Sequence, residues 1–306
     1  MCHARQAKSG YQYQFHQDLT SEVLDYIKPA EALDNFVAVG AAKCKLTPVH
    51  MLIRGFLSGA LLAISTSLAI TATIQTGVPL IGALVFPVGF VIIVLLGLEL
   101  LTGNFALLPV ARFDGKTTTG RLLSNFAWVF IGNLLGSVVY AVLLYFSTPA
   151  QPLAEKLVAI AQAKTIGYAA AGGHGMLACF VKAVLCNWMV TLGVFMAMIS
   201  TSTVGKITAA WLPIFVFFAH RFEHLVVNLF VIPAGIMLGA KVTMSDWLIW
   251  NMLPAALGNF VGGCVLTGLA FYVTYRKPSA VAVVVAPSAE PRTVSSGALS
   301  ASGAAS

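Results

Sequence analysis

Residues 211–236 read WLPIFVFFAHRFEHLVVNLFVIPAGI, and this apolar run contains four ionisable side chains, His220, Arg221, Glu223 and His224. Ionisable groups are costly inside a bilayer and mark functional sites there. The apolar run extends over 207–240 and is much longer than the about 20 residues that a straight membrane helix needs. We therefore expect the helix to break near the charged cluster. Backbone freed by the break must line protein or a cavity, because lipid cannot satisfy its hydrogen bonds.

The composition is that of a polytopic membrane protein. Of the 306 residues, 58% are hydrophobic and only 9% are charged, and the mean hydropathy is +0.86. An average soluble domain has roughly 25% charged residues. The net charge of +7 comes from Lys and Arg scattered between apolar runs. This pattern argues against a nucleic-acid partner and for loop charges next to membrane lipid.

Six apolar segments follow one another along the chain. They cover residues 50–73, 78–110, 122–146, 175–200, 207–240 and 247–272. The second and fifth are overlong, so we expect both to be broken helices. We predict an all-α transport domain over 47–275. An amphipathic segment, 1–46, precedes it, with a helix lying on the membrane surface, and a disordered tail, 276–306, follows it.

The basic residues of the short connections indicate the orientation. One side carries Lys28, Lys43, Lys45, Arg112, Lys116, Arg121, Lys206, Arg276 and Lys277, and the other carries Lys156, Lys164 and Lys241. The positive-inside rule then predicts that both termini are cytoplasmic. We expect the protein to lie in the plasma (inner) membrane. The first acidic residue is Asp18, which leaves a transit segment and the chloroplast envelope as the alternative.

The two halves of the chain carry matching residues in the same order. Arg54 matches Lys182, Glu99 and Asn104 match Glu223 and Asn228, and Asn125, Gly132, Asn133 and Gly136 match Asn251, Gly258, Asn259 and Gly262. Each copy, about 47–146 and 175–275, has three spans, so the pattern predicts a 3+3 inverted repeat. Half-helix N-termini in such folds offer partial positive charge to an anion. We expect Glu99 and Glu223 to accept hydrogen bonds from backbone N–H groups at the breaks.

Several motifs together resemble the formate/nitrite transporter family over about residues 34–275. They are ELLTGN at 99–104, LCNW at 185–188, FEH at 222–224, NLFVIP at 228–233 and the two Gly-Asn pairs. The resemblance implies homopentamers whose subunits each hold a six-span, aquaporin-like pore. It also implies transport of small monovalent anions of weak acids, such as formate, nitrite, hydrosulfide, lactate or bicarbonate.

The resemblance also implies roles for individual residues. His224 matches the central pore histidine and Thr102 the threonine that faces it, with Asn187 and Asn228 as supporting residues. Phe86 and Phe217 match the two constrictions, Phe90 and Leu101 match neighbouring gate positions, and Lys164 matches a vestibule lysine if 167–173 is an insertion. Arg221 departs from the family, which commonly has a small residue there.

These assignments predict proton-linked transport of nitrite or formate. A bare anion in a dry constriction carries an idealised desolvation cost of about 20 kcal/mol, and protonation removes most of it. His224 is the candidate proton donor, because imidazole titrates near neutral pH. A bicarbonate or other small-anion channel of the same fold is the alternative.

Two competing hypotheses assign the chain to other classes of protein. Residues 220–224 fit the H-x-x-E-H pattern of zinc hydrolases, although no third ligand is apparent and the residues around Glu99 lack both histidines. A neutral-solute channel is the other, but the paired Asn-Pro-Ala boxes of aquaporins are absent from the sequence. We expect a transport protein with neither enzymatic activity, nor cofactor, nor metal.

Overall fold

The computed structural model describes residues 25–276, and this part of the chain is helical. Its helices are α1 (Pro29–Lys43), α2 (Pro48–Thr76), α3 (Pro79–Leu95), α4 (Leu101–Phe113), α5 (Thr119–Phe146), α6 (Gln151–Lys164), α7 (Ile166–Ala170), α8 (Gly172–Met198), α9 (Thr203–Ala219), α10 (Leu225–Met237) and α11 (Met244–Tyr275). Four of them, α2, α5, α8 and α11, are long and apolar enough to cross a membrane. Except for Arg276, the tail for which disorder was predicted lies outside the described residues.

The structure confirms that the second and fifth segments are broken. Residues 96–100 separate α3 from α4, and residues 220–224 separate α9 from α10. α3 itself has an irregular turn at Phe86, between Pro79–Val85 and Pro87–Leu95. Each broken segment is therefore two half-helices that meet in a five-residue link.

The first half-helix of each broken segment ends in a Schellman motif, a C-terminal cap in which one residue adopts the left-handed conformation. In the first half that residue is Gly97, with φ of +61°. In the second half it is Arg221, with φ of +54°. The hydrogen bonds that define the cap, from Leu98 N–H to the Ile93 carbonyl and from Phe222 N–H to the Phe217 carbonyl, are 3.0 and 3.2 Å long.

Helix α1 begins at Pro29, which suits the first helical position because its missing N–H is not needed there. Its apolar residues Ala32, Leu33, Phe36, Val37 and Gly40 are buried. They pack against the protein, mainly against α4, where a Cβ on Gly40 would collide with the Leu107 carbonyl oxygen. The apolar face of α1, which we expected to contact the membrane surface, therefore packs against the transport domain.

Small residues bring the long helices close together in pairs. Helix α2 packs on α5, where a Cβ on Gly136 would collide with the carbonyl oxygen of Phe56. Helix α8 packs on α11, where a Cβ on Gly262 would meet the carbonyl oxygen of Val184. Close backbone approach of this kind is typical of helix pairs in membranes. α11 also contains two π-helical stretches, Leu248–Met252 and Gly262–Leu269, which widen its turns.

Candidate functional site

One asparagine braces each break. Asn133 accepts a hydrogen bond from Leu101 N–H (3.0 Å) and donates to the carbonyl oxygens of Gly55 (2.8 Å) and Glu99 (3.0 Å). The bonds with Leu101 N–H and the Glu99 carbonyl oxygen satisfy backbone groups of the break that no helix uses. The side chain thereby ties α2, the first link and the start of α4 together.

Asn259 makes the same three bonds in the second half. It accepts from Leu225 N–H (2.8 Å) and donates to the carbonyl oxygens of Ala183 (2.8 Å) and Glu223 (2.9 Å). Asn133 and Asn259 thus make equivalent bonds across helices at the two breaks.

A buried ion pair anchors the first link. Lys43 Nζ lies 2.6 Å from Glu99 Oε1 and also donates to the Leu98 carbonyl oxygen at 3.1 Å. The other carboxylate oxygen accepts from Asn104 Nδ2 at 2.8 Å, and the same amide donates to Asn125 Oδ1 at 2.8 Å. The Glu99 side chain is fully buried, so its charge needs this compensation.

The second link has the same arrangement with one addition. Lys164 Nζ lies 2.7 Å from Glu223 Oε2, and Asn228 Nδ2 bridges that oxygen (2.8 Å) and Asn251 Oδ1 (2.9 Å). The addition is Tyr168, whose hydroxyl donates to Glu223 Oε1 at 2.8 Å. The donors to both glutamates are thus side chains and not the predicted backbone N–H groups. The N–H groups of Leu101 and Leu225, at the starts of α4 and α10, bond to Asn133 and Asn259 instead.

Sequence reasoning missed Lys43 as the partner of Glu99. Lys43 precedes Arg54 by 11 residues, and Lys164 precedes Lys182 by 18. The difference matches the predicted insertion at 167–173, where the structure has the short helix α7 that carries Tyr168. The position of Lys164 beside Glu223 fits that prediction.

Thr102 and His224 meet where the two second half-helices begin. The Thr102 hydroxyl lies 3.0 Å from His224 Nε2, and both residues are buried. His224 Nδ1 accepts a hydrogen bond from Val227 N–H at 3.2 Å. In the neutral ring the proton therefore lies on Nε2, which donates to Thr102. The Thr102 hydroxyl keeps its own proton for another acceptor.

Aromatic rings pack against this pair. The Phe217 ring stacks on the His224 ring with centroids 5.6 Å apart, and meets the Phe86 ring edge to face at 5.5 Å. Phe86 also stacks on Phe218 at 3.9 Å. Phe86 and Phe217, the two residues predicted to form constrictions, are thus in mutual contact beside the imidazole.

Asn187 connects the two halves. Its Nδ2 donates to the Thr102 carbonyl oxygen at 3.0 Å and to the Asn259 carbonyl oxygen at 2.6 Å. Its Oδ1 is buried without a donor in the described part of the chain, and so is Asn228 Oδ1. Asn187 thus holds the residue that faces His224, whereas Asn228 supports Glu223.

A cavity of about 570 Å³ lies beside Lys43, and its wall includes Gly103, the residue after Thr102. We call it the first cavity. Phe90, Leu100, Gly97 and Lys206 are also in its wall. Phe90, which was predicted to be at a gate position, is thus in the cavity wall.

Leu101, the second residue that was predicted to be at a gate, does not line the first cavity. Leu101 packs with Met51, Phe105, Val129 and Leu225 outside the first cavity, whereas Leu100 lines it. The first residue of an α-helix and the extended residue before it point in different directions. Leu100 is one residue after Glu99, as His224 is after Glu223, so the two residues occupy matching positions.

The zinc-hydrolase hypothesis is wrong because residues 220–224 are not helical. His220 is the C-cap of α9, where its Nδ1 donates to the Val216 carbonyl oxygen at 2.9 Å and its ring stacks on Phe222. His224 is the N-cap of α10 and bonds Thr102. The two imidazoles are thus not one helical turn apart on the same helix, as the motif requires.

Two interrupted helices that meet at a buried imidazole, inside a bundle of membrane-length helices, define a membrane channel or transporter. A sequence profile of the formate/nitrite transporter family matches residues 30–273, so the chain belongs to this family, which confirms the resemblance. It is a transport protein and not an enzyme.

Individual relatives agree with this assignment. A probable formate transporter of Methanothermobacter thermautotrophicus is 34% identical over 267 residues, which cover 81% of this chain and 97% of the relative. A formate channel of Bacillus thuringiensis is 33% identical, with 82% of this chain and 96% of the relative covered. A solved pentameric formate channel with formate bound superposes with a TM-score of 0.64 at 25% identity, over 75% of this chain and 98% of that structure.

Proposed function

We propose that the chain forms a homopentamer whose subunits each conduct small monovalent anions of weak acids, with formate and nitrite as the substrates, together with protons. The observation that carries this proposal is the hydrogen bond of Thr102 to His224 beside the contacting rings of Phe86 and Phe217. The relatives that are formate channels and the solved pentamer support the substrate class and the assembly.

The aromatic contact favours a neutral permeant over a charged one. A bare anion that leaves water for an apolar constriction has an idealised desolvation cost of about 20 kcal/mol. In a protonated acid such as formic acid, only a hydroxyl and a carbonyl group have to be desolvated. The N-termini of α4 and α10 carry partial positive charge and stabilise the anion until it is protonated. The Thr102 hydroxyl offers a hydrogen-bond donor at this point.

His224 is the proposed proton relay, and its hydrogen bonds define what the relay requires. To give its Nε2 proton to the anion, the ring must take another proton on Nδ1. Nδ1 accepts from Val227 N–H, so the relay has to break that bond at the first turn of α10. Proton transfer is therefore coupled to a local movement of this turn.

The basic side chains predict the orientation. We propose that the protein lies in the plasma (inner) membrane with both termini in the cytoplasm, so that the first cavity opens inward and Lys164 lies toward the outside. The chloroplast envelope is the alternative membrane.

The decisive test is transport in proteoliposomes that contain a pH-sensitive dye. Pulses of formate, nitrite, bicarbonate and the neutral solute urea identify the substrate class, and the dye reports proton movement. We expect formate and nitrite flux with coupled protons in the wild type, and loss of both in His224→Phe and in the polar control His224→Asn. Coupled flux that persists in His224→Asn would refute the relay, and urea flux without anion flux would refute the function.

A further inference from the structure

Arg221 adopts a conformation that the first half of the chain leaves to glycine. Gly97 and Arg221 each lie two residues before the glutamate of their link, and both have positive φ. The Cβ of a non-glycine residue is strained in this conformation. A glycine at this position would form the cap more easily, so the arginine side chain itself needs an explanation.

The guanidinium of Arg221 carries a charge that no residue in the range 25–276 compensates, since it makes neither an ion pair nor a hydrogen bond there. Lys164, in contrast, is balanced by Glu223. The Lys182 ammonium lies 5.6 Å from the centroid of the Tyr168 ring, which attracts it. Arg221 is thus a free positive charge three residues from His224, and its side chain is exposed.

The predicted repeat indicates which space Arg221 faces. Gly97 is in the wall of the first cavity, on the Lys43 side. Arg221 has the same place in the cap that ends the first half-helix of the other link, which Lys164 anchors. We infer that Arg221 recruits anions to the Lys164-side mouth of the passage and sets the rate at which they enter from that side. This inference rests on the proposed function.

The size of the effect follows from Coulomb attraction in water. One unit charge at about 7 Å from an anion enriches that anion about threefold, and more where low-dielectric walls focus the field. The attraction is screened by salt, since the Debye length falls from about 30 Å at 0.01 M to about 3 Å at 1 M. A recruiting role therefore depends on ionic strength, whereas a structural role does not.

The experiment compares Arg221→Lys, Arg221→Gly and Arg221→Ala in proteoliposomes of each of the two orientations in turn, with labelled formate added outside at a concentration far below half-saturation. At about 0.01 M salt, we expect Arg221→Gly and Arg221→Ala to lower the initial uptake from the Lys164 side about threefold to tenfold. Arg221→Lys keeps the wild-type rate. The half-saturation concentration rises in the two neutral variants, and the maximal flux does not change.

Thermal unfolding separates the charge from the backbone. Arg221→Gly removes the strain and raises the unfolding temperature by about 2 to 4 °C, whereas Arg221→Ala and Arg221→Lys stay near the wild type. A variant that transports less while it is more stable is not misfolded. Lys241→Gln removes the same charge from an exposed position after α10 and is expected to leave uptake unchanged.

Three outcomes overturn the inference: equal uptake by Arg221→Gly and the wild type at low salt, a loss that persists at about 1 M salt, or an equal loss from both faces. If the wild type carries no weak-acid anion at all, the proposed function fails. Wild-type formate flux with no effect of Arg221→Gly refutes the role of Arg221 alone.

Discussion

The Thr102 hydroxyl and His224 Nε2 lie 3.0 Å apart, although 122 residues separate them in the chain. Thr102 is in the first turn of α4, and His224 is the N-cap of α10. The hydrogen bond therefore joins the N-termini of two half-helices from opposite halves of the chain. The helix dipoles of both half-helices make this point favourable for negative charge.

Thr102→Val is expected to disrupt transport. The substitution keeps the shape but removes the acceptor of His224 Nε2, which leaves a buried donor unpaired at a cost of about 1 to 3 kcal/mol. It also removes the hydroxyl that faces the anion. We expect formate flux in proteoliposomes to fall at least about tenfold, and the conservative control Thr102→Ser to retain most of it. Equal flux in the valine and serine variants would contradict a role for the hydroxyl.

Lys164→Met is expected to lower the free energy of unfolding by about 3 kcal/mol, because it leaves the buried Glu223 carboxylate without its cation. Tyr168→Phe alone costs about 1 kcal/mol, since one hydrogen bond is lost. The double variant should lose more than the sum, because the Tyr168 hydroxyl is a remaining donor to Glu223 once Lys164 is gone. Chemical denaturation in mixed micelles measures this double-mutant cycle.

The first half of the chain provides the control for that cycle. Glu99 has no tyrosine donor among the described residues, so Lys43→Met should destabilise the protein at least as much as Lys164→Met. Strict additivity of the Lys164 and Tyr168 substitutions would show that the two donors act independently on Glu223.

Much of the fold could be predicted because it depends on patterns within the sequence. Overlong apolar runs indicated the two breaks, and the repeated glutamates and asparagines marked the residues that brace them. Asn133 and Asn259 make equivalent bonds, and so do Glu99 and Glu223. The inverted orientation of the two halves stays a prediction that these matched contacts support.

The remaining features depend on geometry that spacing does not encode. The partner of Glu99 is 56 residues away, in a helix that appeared suited to the membrane surface. Residues 100 and 101 are both leucine, so their side chains do not tell them apart. The position at which α4 starts determines which of them lines the first cavity. The strain at Arg221 depends on its backbone conformation, which the sequence does not state directly. The small residue that the family commonly has at this position was nevertheless a signal of that conformation.

Asp25 is expected to make the contact between the residues before α1 and the α8–α9 connection sensitive to acid. Hydrogen bonds from the Ser200 hydroxyl and the Ser202 N–H hold the pKa of Asp25 well below its usual value. A folded pKa below the unfolded value of about 3.9 means that the contact is at full strength above about pH 4 and is lost as the pH falls through the folded pKa.

Amide hydrogen exchange at Ser202 measures this effect, after correction for the intrinsic pH dependence of exchange. We expect protection at neutral pH in the wild type and its loss in acid. Asp25→Asn keeps an acceptor but removes the charge, so it should reduce protection at neutral pH and abolish the pH dependence. Protection that is independent of pH in the wild type would refute this role of Asp25.

Gly136→Ala is expected to destabilise the protein by about 1 to 3 kcal/mol, because the added methyl group would overlap the Phe56 carbonyl oxygen and force α2 away from α5. The matched control is Gly120→Ala near the start of α5, where no described residue lies within 4 Å of the new Cβ and helix propensity rises by up to about 1 kcal/mol. Thermal unfolding should show opposite shifts for the two variants.

Gly262→Ala should behave like Gly136→Ala, since its methyl group would meet the Val184 carbonyl oxygen in the matching helix pair. A neutral result at either position would mean that this helix pair can separate without loss, and that close backbone approach does not hold that half together.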